Sequence, residues 1–119
     1  MEVLDMSVLD QLRSRQRPGR PDIVQTLLDL YVQSAEPLVA TLESSKATQD
    51  DSALQHATHT LKSSSMNIGA MRLSALCVDV EQMLRDGASS DARRAIPALL
   101  NEYRHTLVKI ETVRTGEAA

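Results

Sequence analysis

The chain has 119 residues, enough for one domain with a continuous core and no need of a metal or disulfide staple. A net charge of -3 argues against a broad nucleic-acid interface, which needs Lys and Arg in clustered excess, and two Tyr with no Trp or Phe leave no stacking platform for single strands. Cys77 has no partner for an internal disulfide, no basic-then-apolar leader opens the chain, and polar side chains interrupt every apolar stretch short of the roughly 20 residues of a membrane span. The expectation is a soluble, cytoplasmic domain that touches neither nucleic acid nor membrane.

Apolar residues recur at spacings of three and four, and no strand pattern is visible, so the chain reads as helix throughout. A short first helix is predicted over about residues 8–15, with Ser7 as N-cap and Val8, Leu9 and Leu12 inward, ending at the Arg-Pro-Gly-Arg-Pro stretch from Arg17 to Pro21. Pro21 suits the start of the second helix, with Asp22 in its first turn. Its inward stripe is predicted as Ile23, Leu27, Leu30, Tyr31, Leu38 and Leu42, running to about Ser45 as one helix kinked at Pro37.

A third helix starts near Asp50, keeps Leu54, Ala57, Leu61, Ser64 and Ile68 on one side, and ends at Gly69. The fourth places Leu73, Leu76, Cys77, Val80 and Leu84 inward and stops at Asp86-Gly87. The fifth, from about Ser90, carries Ile96, Leu99, Leu100, Tyr103, Leu107 and Ile110, and the tail from Thr115 to Ala119 has nothing to bury and is expected to be flexible. Short connections favour antiparallel neighbours. The predicted fold is all-α: an antiparallel up-down-up-down four-helix bundle over about residues 21–114, with the short N-terminal helix as a lid, in a single domain of residues 1–119.

On the third helix, taking 100° per residue from Leu61 at the centre of the buried face, His59 falls about 160° away and points at solvent. Ser63 lies one turn later on the same outward strip, Met66 follows it, and Lys62 sits on the flank within reach of the imidazole. Imidazole keeps an unprotonated, nucleophilic nitrogen at cellular pH, and the phosphoryl group is an anion that Lys62 would steady. In-line transfer needs open space, so a small residue one turn from the histidine leaves room for a partner's loops. Ser63 is small.

The run His59-Thr60-Leu61-Lys62-Ser63-Ser64-Ser65, followed by Asn67-Ile68-Gly69-Ala70, resembles the histidine phosphotransfer (HPt) family. The likeness extends through Leu73, Cys77 and Glu81 and through the Pro-interrupted second helix, over at least residues 20 to 86. The resemblance implies that His59 accepts phosphate from the aspartate of a receiver domain and passes it to another, that Lys62 steadies the phosphate, and that Gly69 lets the chain turn into the next helix. Ser63 departs from the family pattern, which usually has glycine there; its hydroxyl is expected to tune access or to hydrogen-bond the phosphate. Gln55, His56 and Met66 are the expected docking residues around the acceptor.

On this reading the domain is a phosphocarrier with no ATP site or kinase activity, since no glycine-rich phosphate loop occurs. It needs no cofactor of its own, and Mg²⁺ is expected on the partner. The partners are receiver domains of response regulators or hybrid sensor kinases, met by a monomer in the cytoplasm, where such domains also form the cytoplasmic end of membrane-bound sensors. The competing reading is a non-catalytic helical adaptor whose outward strip only docks partners.

Other motifs carry less. His56 also projects outward, about 140° from the core centre, but lacks a cation one turn on. His56 with His59, or the Glu102-x-x-His105 unit, falls short of a metal site for want of further converging ligands. Ser63-Ser64-Ser65 lacks the strand-turn-helix of a hydrolase nucleophile, Ser64 is assigned to close helix packing, and Cys77 is assigned to the core as a small hydrophobe. Arg13, Arg15, Arg17 and Arg20 form a basic patch, either a solvated turn or guidance for an acidic partner.

Overall fold

Three of the helices start on an aspartate. In the computed structural model, which describes residues 2–116, the carboxylates of Asp5, Asp22 and Asp50 accept the amides of Ser7, of Val24 and Gln25, and of Ala53. These are donors that a first helical turn leaves without partners. The elements are α1 (Met6–Arg13), α2 (Ile23–Thr48), α3 (Asp51–Asn67), α4 (Met71–Arg85) and α5 (Ser89–Thr115), with no strand among the described residues.

The cap of α1 is therefore Asp5 and not Ser7. The Asp5 carboxylate takes both the amide and the hydroxyl of Ser7, at 3.1 and 2.6 Å, so the serine sits inside the first turn as a donor to a stronger, anionic acceptor. Asp22 likewise caps α2 from just outside the helix instead of lying in its first turn. Of the predicted tail, Thr115 closes α5, Gly116 caps it, and residues 117–119 lie outside the described residues.

α3 packs between α2 and α4, α5 closes the ring against α4 and α2, and α1 lies on α2. From α2 to α5, connections of two or three residues leave no room for a crossover, so these four helices run antiparallel to their neighbours in sequence. α2 continues through Pro37 as one helix, and α5 continues through Pro97, with both prolines on exposed faces.

The buried stripe of α2 is Val24, Leu28, Tyr31, Ala35, Leu42 and Ser45. That is one residue out of phase with the predicted set over the first turns: Leu30 is 57% exposed, and Ile23, Leu27 and Leu38 are only half-buried. The N-terminal half of α2 is apolar nearly all round, so two phases fit its pattern. Packing against both α3 and α5 selects the one that puts small Ala35 inside. On α3 the buried serine is Ser65, not Ser64. Its Oγ lies 2.9 Å from the buried Tyr31 hydroxyl, so each satisfies the other, whereas half-buried Ser64 bonds back to the Leu61 carbonyl.

The N-terminal segment straps the turn between α3 and α4. Leu4 and Leu9 enter the core, and the Asp5 amide donates to the Gly69 carbonyl at 2.8 Å. Gly69 has φ +86, and a Cβ there would stand 2.7 Å from the Asp5 carbonyl oxygen, so both the left-handed turn and the strap require glycine.

Candidate functional site

α3 presents His59 outward, its side chain 62% exposed, while Leu61 two residues on is fully buried. The imidazole is nonetheless held. Its Nδ1 lies 2.7 Å from Oε2 of Glu81, a carboxylate on α4 that is only 3% exposed. The other oxygen, Oε1, accepts from Lys62 Nζ at 3.1 Å and faces Arg85 Nη1 at 3.4 Å. Lys62 also approaches His59 Nδ1 at 3.5 Å, too long to compete with the carboxylate. Across the same seam, Ser74 on α4 donates to the Lys62 carbonyl at 3.0 Å, tying the two helices together beside the site.

Burial alone pushes the Glu81 carboxyl up, but hydrogen bonds from Lys62 and His59, reinforced by the Lys62 charge, outweigh it and hold the group below the ordinary carboxylate value. Glu81 is thus an anion whose Oε2 can only accept, so a neutral His59 donates from Nδ1. Nε2 is then the ring nitrogen with a free lone pair, and no described residue bonds it. An exposed imidazole fixed by a carboxylate on one nitrogen and open on the other is suited to nucleophilic attack on an electrophile brought by another molecule.

Ser52, Gln55, His56, His59 and Glu81 line a shallow hollow of about 340 Å³. Gln55 and His56 are therefore beside the imidazole, and among the described residues no carboxylate pairs with His56 as Glu81 does with His59. Ser63 is exposed, its hydroxyl 3.4 Å from the His59 carbonyl. Met66, 49% exposed, lies one turn further and does not line the hollow. Gly69 is further along still, at the strapped turn.

Sequence reasoning missed Glu81 as a site residue. The available signal was a carboxylate in phase with Leu73, Cys77 and Val80, a position where an unpartnered charge is costly. The remaining candidates stand apart from the hollow. Burial pushes the Cys77 thiol up to about 12, far from nucleophilic use. Buried Glu102 faces Arg72 at 3.7 Å, with His105 at 3.8 Å and exposed, on α5.

The family model for the Hpt domain matches residues 26–108, the span from α2 into α5. The chain is similar to histidine-containing phosphotransfer protein 2 of Arabidopsis thaliana, 26% identical over 104 residues that cover 85% of this chain and 67% of the relative. Its fold is similar to the crystal structure of histidine-containing phosphotransfer protein B from Pseudomonas aeruginosa PAO1, with a TM-score of 0.84, 27% identity and 95% of each chain covered.

Proposed function

The chain belongs to the Hpt domain family, a phosphocarrier module of phosphorelay signalling, and we propose that His59 takes the phosphoryl group from the phosphoaspartate of one receiver domain and hands it to the aspartate of another. The observation that carries this reading is the 2.7 Å bond from an otherwise exposed imidazole to a buried carboxylate.

In the proposed step the Nε2 lone pair attacks phosphorus in line with the acyl-phosphate oxygen. The N–P bond forms as the P–O bond breaks, and the electron pair leaves on the receiver's aspartate. Positive charge developing on the ring is met at Nδ1–H by the Glu81 carboxylate, and Lys62 answers the negative charge of the phosphoryl oxygens. Return transfer runs the same steps backwards. Ser63 leaves the approach to His59 open. Gln55 and His56 form the wall that a receiver loop would meet, and Met66 is an apolar contact one turn away.

The domain acts as a carrier, without a kinase activity of its own. A divalent cation is assigned to the receiver's acidic pocket, because Glu81, the carboxylate beside His59 among the described residues, is already engaged by Lys62 and His59. We assign it a cytoplasmic location and a monomeric state, meeting its receivers transiently, with no membrane or nucleic-acid partner. No helix of the described residues is long and apolar enough to cross a membrane.

The test is incubation with a panel of phosphorylated receiver domains, reading acid-labile, base-stable phosphate on the chain. Wild type and His56→Gln should accept phosphate, and His59→Gln should not while remaining folded. Acceptance that survives His59→Gln, or is lost only in His56→Gln, refutes the assignment.

A further inference from the structure

One end of the bundle holds a guanidinium that the acceptor chemistry does not use. Arg93, near the start of α5, has its side chain only 7% exposed. Its Nε donates to the Ser45 carbonyl on α2 at 2.9 Å, and its Nη1 donates to the Asp51 carboxylate at the start of α3 at 2.7 Å. The Ser89 hydroxyl donates to the same carboxylate. One arginine thus joins the ends of three helices, and its plane is fixed. The joint is incomplete, because Nη2 is buried and has no acceptor among the described residues. A buried donor left without a partner is costly and uncommon.

Arg93 lies in the wall of a hollow of about 520 Å³, which it forms with Lys46, Gln49, Ser90, Arg94 and Pro97. Three of these side chains are cations and none is acidic. Asp51 and Asp91 answer Arg93 and Arg94 from outside the wall, at 2.7 and 2.9 Å, but the Lys46 ammonium pairs with no carboxylate among the described residues. Positive charge is therefore left over on the open side. α5 adds to it, because it starts at Ala88, which supplies no side-chain cap for the first amides of the helix. The hollow is also separate from the acceptor. Asp51, which anchors Arg93, precedes His59 by eight positions, roughly 12 Å along α3 at 1.5 Å per residue, and the two hollows share no residue.

We propose that this hollow is a binding site for the phosphate group of a small soluble phosphomonoester, held by Arg93 with Lys46 and Arg94 closing over it. A phosphate oxygen settled on Arg93 gives Nη2 the acceptor it lacks. A guanidinium held flat by two other bonds loses little freedom on meeting it. Lys46 and Arg94 are exposed, long chains that can swing onto the remaining oxygens, and the Ser90 hydroxyl and Gln49 amide add neutral donors. The volume exceeds that of a bare ion and falls in the range of roughly 300–1,000 Å³ of small-molecule sites, so the phosphate carries an organic group. A lipid headgroup offers the same phosphate, but Pro97 is the one apolar residue of the wall, with nothing beside it to enter an acyl layer. The ligand is bound and not transformed, and the site is independent of phosphate transfer at His59.

Titration of the full chain with glycerol 3-phosphate, followed by NMR at constant ionic strength, tests the site. The amides of Ser89 to Arg94 and the Arg93 Nε–H should shift and saturate, with a dissociation constant of about 1 mM or tighter. Arg93 is built into the fold, so its removal could unfold the chain, and the informative variant is Lys46→Gln with Arg94→Gln, both on exposed side chains. That variant should weaken binding about tenfold while accepting phosphate on His59 as wild type does. Three results overturn the proposal: shifts that do not saturate, shifts centred on His59 and Lys62, or equal affinity in the variant. So does sedimentation with phosphatidic acid vesicles that depends on Lys46 and Arg94 while glycerol 3-phosphate fails to bind, since the cations then serve a lipid surface.

Discussion

Glu81→Gln isolates the contribution of the carboxylate, because the amide keeps the size and one acceptor oxygen while removing the charge. In wild type the two oxygens serve His59 and Lys62 separately, at 2.7 and 3.1 Å. The single oxygen of glutamine can serve only one, and its NH₂ faces the other group as a donor. A hydrogen bond to a charged group contributes about 1.5–3 kcal/mol; with the His59 side chain 62% exposed, the lower end applies. At about 1.36 kcal/mol per factor of ten, phosphoryl transfer to His59 should slow about tenfold. Stability should fall by about 1 kcal/mol or less, since Lys62 can relax toward solvent and a buried charge is removed at the same time. Rapid-quench single turnovers from a phosphorylated receiver measure the first quantity and urea denaturation the second. Transfer at the wild-type rate in a folded Glu81→Gln protein refutes the assigned role. The same variant tests the pH dependence. Although burial raises it, the Glu81 carboxyl is brought below its ordinary value of 4.5 by Lys62 and His59. Its stabilising contribution is therefore complete above the ordinary carboxylate range and is lost as pH falls through the depressed folded value. Wild type should lose stability on acidification more steeply than Glu81→Gln, and parallel curves contradict the linkage.

Lys62→Ala should slow transfer several-fold without abolishing it, and single-turnover rates equal to wild type would leave Lys62 as a solubilising residue. Met66→Asp should weaken receiver binding with little change in melting temperature, because the side chain is already 49% exposed; a large fall in melting temperature contradicts the outward placement. Gly69→Ala should cost about 2 kcal/mol or more in urea denaturation, combining left-handed backbone with the 2.7 Å approach to Asp5. Gly19→Ala, at φ +77 but in open space, should cost only about 1 kcal/mol, and equal losses at the two sites remove the strap from the explanation.

The helices and the outward direction of His59 were legible because both follow from local periodicity. An ideal helix fixes the angle between Leu61 and His59, and Lys62 is within reach because it is three residues on. Glu81 was not legible in the same way. It lies 22 residues from His59, and only the packing register of α4 on α3 brings its carboxylate to the imidazole. Read along α4 alone, the phase of Glu81 with Leu73 and Cys77 marks a charge that needs a partner, but nothing local says which residue supplies it. The phase of α2 failed for the opposite reason: apolar residues on too many faces fit two stripes, and neighbours on both sides chose between them. Ser64 and Ser65 differ only in which one meets Tyr31, a contact across 34 positions. The Asp5 cap was missed because serine and aspartate compete for the same amides, and the carboxylate is the better acceptor.

The division of the site between two helices makes the seam between α3 and α4 an alignment device. His59 and Lys62 ride on one helix, and Glu81 and Ser74 on the other. A slide of one helix past the other by a fraction of a turn would part the carboxylate from both of its donors without touching the imidazole itself. Residues with no chemistry of their own, such as Leu61 and Cys77 in the core and Gly69 under its strap, therefore act as the bearings on which the reactive geometry is trued. Transfer rate becomes a gauge of helix register, so a change at the far turn can detune the acceptor while every reacting atom remains in the chain.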